Sequence, residues 1–230
     1  CTVQQSTMAE TTLHGHWPSP FTYRVIWALK LKGISYDYVE ENVFYHKSET
    51  LLRYNPIYKQ APVLVHGGAP LCESMNIVEY LDEISPRHPL LPKDPYERAT
   101  ARFWVSFLSS NERTIFDPVR CSGEEQEAAV KKLAEILETI EDRAFGDGGF
   151  LGGDGIGFVD IAFGVIAYWL DIIEEAAEVT ILDPGKLPRL CSWRKTFLED
   201  EMVKENLPER EKVVSFFKHA REVRLSSSKV

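Results

Sequence analysis

Two hydrophobic periods divide this chain. Its first eighty residues mix short alternating runs with helical ones, and everything beyond about residue 96 follows helical spacing. Residues 11–16, Thr-Thr-Leu-His-Gly-His, partly alternate and read as a strand. Residues 22–33, Thr-Tyr-Arg-Val-Ile-Trp-Ala-Leu-Lys-Leu-Lys-Gly, carry apolar side chains at helical spacing, lysines near the end and Gly33 as a stop. Residues 34–40 alternate again as a second strand. Strand, helix and strand in succession predict a parallel βαβ unit. Residues 47–54 predict a short helix, capped by Ser48 and ended by Asn55-Pro56. Pro62 stands before the run Val63-Leu64-Val65, where proline can open a strand but not pair within one. Gly67-Gly68 marks a hairpin, Ala69 to Cys72 a returning antiparallel strand, and Ser74 the N-cap of a helix with apolar residues at 77, 78, 81 and 84.

Four prolines at 86, 89, 92 and 95 exclude helix and read as a linker, residues 86–95, between a first domain over 8–85 and a second over 96–230. In the second domain Phe103, Trp104 and Phe107 are spaced like core residues of a helix over 98–116. Residues 124–145 are amphipathic, with Val130, Leu133, Ile136, Leu137 and Ile140 on one face. Gly146-Asp147-Gly148-Gly149 breaks that helix. Gly157-Phe158-Val159-Asp160 opens one over 161–176, with Asp160 placed to bond back to the Gly157 backbone and Ile156 and Ile161 as a staple. Another helix begins in 186–193, Phe216 and Phe217 lie in the last, and Ser226-Ser227-Ser228 reads as a frayed tail. The fold class expected is an α/β first domain with a mixed four-stranded sheet, followed by an all-α domain.

Composition narrows the partners. Of 230 residues 44% are hydrophobic and 27% charged, an ordinary globular balance. The formal net charge of -9 argues against nucleic acid or an anionic membrane, both of which reward a basic face. No apolar run approaches the roughly 18 residues of a membrane span. The seven polar residues ahead of Met8 suggest Met8 as the natural start. Cys1, Cys72, Cys121 and Cys191 are scattered, which suggests reduced thiols in a cytoplasmic protein, with Cys72 and Cys191 in the core. The six histidines form no HxxxH-type pair, so no metal is expected.

The candidate chemistry sits at the first strand-to-helix handover, Trp17-Pro18-Ser19-Pro20-Phe21. Pro20 suits the first helical position, which puts Ser19 at the N-cap, in the positive end of the helix dipole. A cap alone explains Ser19. Its hydroxyl proton nevertheless remains available to an anion held there, a thiolate included. Ser74 opens a second helix in the same way, and the two would form an anion-binding groove if both open on one sheet edge.

These residues, with Lys47-Ser48, then Asn55-Pro56-Ile57-Tyr58-Lys59-Gln60-Ala61-Pro62-Val63-Leu64 and Glu73-Ser74, resemble the thioredoxin-like half of the glutathione transferases, the plant tau class above all. The likeness runs from Met8 to about Arg221. It implies that Ser19 donates a hydrogen bond to the sulfur of glutathione. It implies further that Lys47 meets the glycyl carboxylate and that Ala61, before a cis Pro62, pairs its backbone with the cysteinyl part. Glu73 and Ser74 would hold the γ-glutamyl end. The magnitudes agree. Lowering a thiol pKa from ~8.5 by ~2 units takes roughly 2.7 kcal/mol. One charge-assisted bond contributes about 1.5–3 kcal/mol and a helix terminus about 0.3–2. Gln60 departs from the class, which commonly carries lysine there. It can still bond glutathione, without charge.

The resemblance also implies an apolar acceptor pocket lined by Phe21, Phe116, Arg120, Trp169 and Phe216 or Phe217, although each aromatic taken alone reads equally well as core. Gly123 stands where the class often has an aromatic, which would widen that pocket. The implied activity is conjugation of glutathione to hydrophobic electrophiles in detoxification and stress. The alternatives are glutathione-dependent reduction of hydroperoxides and non-catalytic carriage of hydrophobic metabolites. Serine in place of cysteine at 19 rules against mixed-disulfide chemistry. The family habit is a homodimer, the first domain of one subunit packed on the second of the other.

Overall fold

The computed structural model describes residues 10–44, 46–146 and 148–227. The expected start at Met8, together with Cys1, Asp147 and Ser228, lies outside the described residues. The chain divides into two compact units, Cys1–Arg87 and His88–Val230.

The first unit runs β1 (Thr11–Gly15), α1 (Pro20–Lys32), β2 (Asp37–Glu40), α2 (Glu49–Tyr54), β3 (Val63–His66), β4 (Ala69–Cys72) and α3 (Ser74–Ile84). The sheet has the order β2-β1-β3-β4. β1 pairs parallel with β2 and antiparallel with β3, and β3 pairs antiparallel with β4. The mixed four-stranded sheet of the sequence reading is therefore present. Helices α1 and α3 pack on each other. They bury Val25, Ala28 and Leu29 of α1 and Ile77, Val78 and Leu81 of α3, with Leu13 and Leu64 buried in the sheet. Gly33 ends α1 at φ 63, in the left-handed conformation glycine adopts most readily. Lys32 is buried, ion-paired to Asp82, and donates to the carbonyls of Ser85 and Arg87.

The second unit is helical: α4 (Pro95–Arg120), α5 (Glu124–Arg143), α6 (Phe158–Gly164), a π-helical turn (Val165–Trp169), α7 (Leu170–Ala177), α8 (Pro188–Glu199), α9 (Glu201–Glu205) and α10 (Arg210–Ser227). Asp160 holds its middle together. The carboxylate accepts from the backbone of Leu151 at 2.8 Å, Gly152 at 2.9 Å and Gly157 at 2.9 Å, and from Trp193 Nε1 at 2.7 Å. The expected back-bond is thus one of four. Burial pushes the Asp160 pKa up, and the four N–H donors pull against that rise. Arg221 of α10 closes the end of α4 by donating to the carbonyls of Pro118, Val119 and Cys121.

Several expectations fail for local reasons. The core face of α4 is Ala101, Val105, Leu108 and Ile115, while Phe103 is 59% exposed and Trp104 and Phe107 are only partly covered. The single helix over 161–176 is three pieces, because the π turn inserts at Val165. Ser226 and Ser227 are helical, their hydroxyls bonding the Val223 carbonyl. Cys72 and Cys191 are partly buried free thiols rather than fully buried core residues, Cys72 packing against the cluster of Val43, Leu51 and Val63.

Candidate active site

The sheet topology gathers the sequence-predicted residues of the first unit. Strands β1, β2 and β4 run one way and β3 the other. The ends of β1, β2 and β4 and the beginning of β3 therefore share an edge, along which His14, Val63 and Cys72 stand in register. Ser19 follows β1, Lys47 lies in the connection leaving β2, Ala61 and Pro62 precede β3, and Glu73-Ser74 follow β4. One edge thus carries all four segments.

Ser19 is the N-cap of α1, extended at φ -86, ψ 119, with Pro20 behind it. Its side chain makes no cap hydrogen bond. The turn is closed by backbone instead: Ser19 N–H donates to the His16 carbonyl at 2.9 Å, and the Ser19 carbonyl accepts from Thr22 and Tyr23. A partly exposed hydroxyl at the positive end of a thirteen-residue helix is left to an outside acceptor.

Helix α3 begins one residue earlier than the sequence suggested. Glu73 is its N-cap, at φ 69, and Ser74 is its first helical residue. The Glu73 side chain makes no cap hydrogen bond, so the N-cap residue leaves the first N–H groups of α3 to other acceptors. Ser74 is buried, and its Oγ accepts from Arg24 Nη1 at 3.3 Å. Arg24 was missed in the sequence. A single arginine on the otherwise apolar face of α1 was the available signal. Its guanidinium lies 5.1 Å from the Phe21 ring centroid, so it ties the Ser19 helix to Ser74.

The Ala61-Pro62 bond is cis. Gln60 is exposed, its carbonyl taken by Asn55 Nδ2 at 2.9 Å. Lys47 is partly buried, one residue ahead of Ser48, whose Oγ accepts from Leu51 N–H at 2.9 Å as the N-cap of α2. That hydroxyl also donates to Glu41 Oε1 at 3.0 Å, and the same oxygen meets His14 Nδ1 at 2.8 Å. This buried His14–Glu41–Ser48 chain fixes where α2 starts, and Lys47 with it. The alternation of residues 34–40 carries no mark of it, since its members stand apart at positions 14, 41 and 48.

In the second unit Phe116 and Phe217 stack with centroids 6.1 Å apart and planes 7° apart, and Phe216 meets Phe217 edge-on at 5.6 Å. The Arg120 guanidinium lies 5.6 Å from the Phe116 centroid. Burial lowers the Arg120 pKa, with Asp117 opposing. Trp169 is fully buried in the π turn, edge-on to Tyr168 at 5.2 Å, the environment of a core ring. Gly123 has a backbone reason for being glycine: it caps α5 at φ 61, ψ -140. Apart from its chain neighbours, nothing lies within 4 Å of a Cβ placed there.

A family model for the glutathione S-transferase N-terminal domain matches residues 9–83, and one for the C-terminal domain matches residues 123–195. A probable glutathione S-transferase of Nicotiana tabacum is 44% identical over 211 residues, covering 92% of this chain and 94% of the relative. Glutathione S-transferase U8 of Arabidopsis thaliana is 45% identical over 209 residues, covering 90% and 92%. Among solved structures, a tau class glutathione S-transferase of mango superposes with TM-score 0.85 at 39% identity, covering 91% of this chain and 97% of the other. Rice GST1 in complex with glutathione superposes with TM-score 0.86 at 35% identity, covering 94% and 98%.

Proposed function

The chain belongs to the glutathione S-transferase family, with plant tau-class members among its relatives, and from that premise we propose that Ser19 holds glutathione as a thiolate for attack on hydrophobic electrophiles. The observation that carries this reading is the Ser19 hydroxyl, which sits at the N-terminus of α1 and is spent on no cap bond. Donating to sulfur, it favours the ionised form over the thiol, and the helix dipole adds to the preference. The sulfur lone pair then forms the new C–S bond as the acceptor's leaving group departs, or as an activated alkene takes up charge. No side chain needs to abstract a proton, because the thiol has already lost it to solvent.

The other residues of the edge suit the rest of the tripeptide. Lys47 meets the glycyl carboxylate. The Ala61 backbone pairs with the cysteinyl amide beside Pro62, with Gln60 as an uncharged neighbour. Ser74 and the α3 N-terminus take the γ-glutamyl carboxylate, and Glu73 its ammonium. In the second unit Phe116, Phe216 and Phe217 form an apolar aromatic group with Arg120 at its margin, suited to a planar acceptor. Phe21 and Trp169 complete the candidate set, Trp169 from within the core. A cytoplasmic homodimer acting in detoxification is the setting this reading implies.

The test is Ser19→Ala, assayed with an aryl halide and with cumene hydroperoxide. Loss of one charge-assisted bond is expected to cut turnover about 10- to 100-fold in whichever reaction the enzyme performs. The melting temperature should hardly move, because the hydroxyl caps nothing. Undiminished turnover would remove Ser19 from the mechanism, and activity with the hydroperoxide alone would make the enzyme a reductase.

A further inference from the structure

The turn that carries Ser19 is held from the neighbouring strand by one carboxylate. Residues 16–19 form a turn between β1 and α1, closed by the bond from Ser19 N–H to the His16 carbonyl. Glu40, the last residue of β2, stands opposite Gly15 in the parallel register. From there Oε1 accepts from Trp17 N–H at 3.2 Å and lies 3.1 Å from His16 Nδ1. Oε2 accepts from the Tyr38 hydroxyl at 2.8 Å. Two of these contacts are on the turn itself, and the third fixes the carboxylate's rotation.

The supports of this bracket are themselves tightly placed. A Cβ on Gly15 would come 2.7 Å from Tyr38 Cε2 and 2.5 Å from Thr22 Cγ2, so the Tyr38 ring and Thr22 close on the strand where glycine leaves room. Thr22 Oγ1 accepts from His16 N–H at 3.0 Å. Burial first, then the bond to Glu40, push the Tyr38 phenol above its ordinary range, so it stays a donor. The main chain entering the turn is thus held by Thr22 on one side and Glu40 on the other. Ser19 is the residue this arrangement delivers.

We propose that Glu40 is a positioning residue for the glutathione thiolate, its carboxylate locking the 16–19 turn so that the Ser19 hydroxyl stays aimed at sulfur. The inference rests on the role proposed above for Ser19. A hydrogen bond weakens steeply as its angle opens, so a loosened turn forfeits part of the stabilisation even with the hydroxyl still present. The direct electrostatic effect of Glu40 has the opposite sign. An anion near the sulfur disfavours the thiolate, and removing it would lower the thiol pKa. Positioning predicts that removing Glu40 raises it.

The experiment titrates enzyme-bound glutathione by its ultraviolet thiolate absorbance in the wild type, Ser19→Ala, Glu40→Ala, Glu40→Gln and the double alanine variant. Glu40→Ala is expected to raise the bound thiol's pKa by about 0.5–1 unit, part of the roughly 1–2 units a charge-assisted bond supplies. Glu40→Gln, which keeps an acceptor for Trp17, should shift it less. In the double variant the pKa should lie at or below that of Ser19→Ala alone, because the positioning effect runs through Ser19 and only the opposing direct charge effect of Glu40 remains. The affinity for S-methylglutathione, which has no thiol to ionise, should stay within about twofold of wild type. The Glu40 side chain is 45% exposed, so its truncation leaves no buried hole. An unchanged or lowered pKa in Glu40→Ala, or a matching loss of S-methylglutathione affinity, overturns the inference. If Ser19→Ala leaves the pKa unmoved, the Ser19 reading fails first and this one with it.

Discussion

Gln60 sets an amide on the edge proposed to bind glutathione, where the tau class commonly carries a lysine. It is exposed, and its main-chain carbonyl is fixed by Asn55, so its side chain changes charge without changing the path of the loop. Gln60→Lys should therefore strengthen glutathione binding and little else. An exposed pair contributes about 0.2–1 kcal/mol, so the KM for glutathione is expected to fall about 1.5- to 5-fold with kcat unchanged. The gain should shrink in high salt. A KM that stays constant or rises in steady-state assays would show that position 60 does not face the tripeptide. Which residues matter at this scale was partly legible in the chain. Ser48 announced itself as a side-chain cap, whereas Ser19, read the same way, stands at the N-cap without a side-chain cap bond. Arg24, Glu40 and Glu41 did not announce themselves. Each acts through a partner 23 to 50 positions away along the chain, brought close by the fold, and single-sequence patterns hold no record of such pairing.

At the scale of elements, local signals were faithful at several caps and turns. Gly33 stops α1, Ser48 caps α2, and Gly67-Gly68 turns the β3–β4 hairpin. They failed where packing decided. In α4 the weight of Phe103, Trp104 and Phe107 suggested the core face, yet the smaller residues Ala101, Val105 and Leu108 occupy it. Glu73 displaced Ser74 as the cap by adopting φ 69, a conformation a glutamate seldom takes and no pattern forecasts. The same distinction gives Asp160 its importance. The sequence offered one of its bonds, but the folded unit uses four donors, drawn from a loop, a helix start and α8. Asp160→Ala would strand those donors, each costing about 1–3 kcal/mol when buried without a partner. The variant is expected to fail to fold, or to melt far below wild type. Circular dichroism melts would expose the error if its transition fell within a few degrees of wild type.

For the whole molecule the open matter is what covers α4. Tyr96 and Phe103 are 81% and 59% exposed, and residues 96, 103 and 107 recur at helical spacing on one face. Trp104 stands edge-on to Phe103 at 5.2 Å and to Phe107 at 5.7 Å, making an ordered aromatic row on the surface of a chain with net charge -9. A row of rings left in water forfeits about 25 cal/mol for every Å² that a partner could cover. The homodimer implied by the family resemblance would supply such a partner, since it packs the second domain of one subunit, which carries α4, on the first domain of the other. Phe103→Glu places a charge in that row without touching the core face of α4. In sedimentation at micromolar concentration the wild type should run at twice the chain mass and Phe103→Glu at or near the monomer. The helical signal and the Ser19 chemistry of the first unit should both persist in the variant. A wild type that sediments as a monomer, or a Phe103→Glu variant that remains dimeric, would mean that the aromatic row does not hold the subunits together.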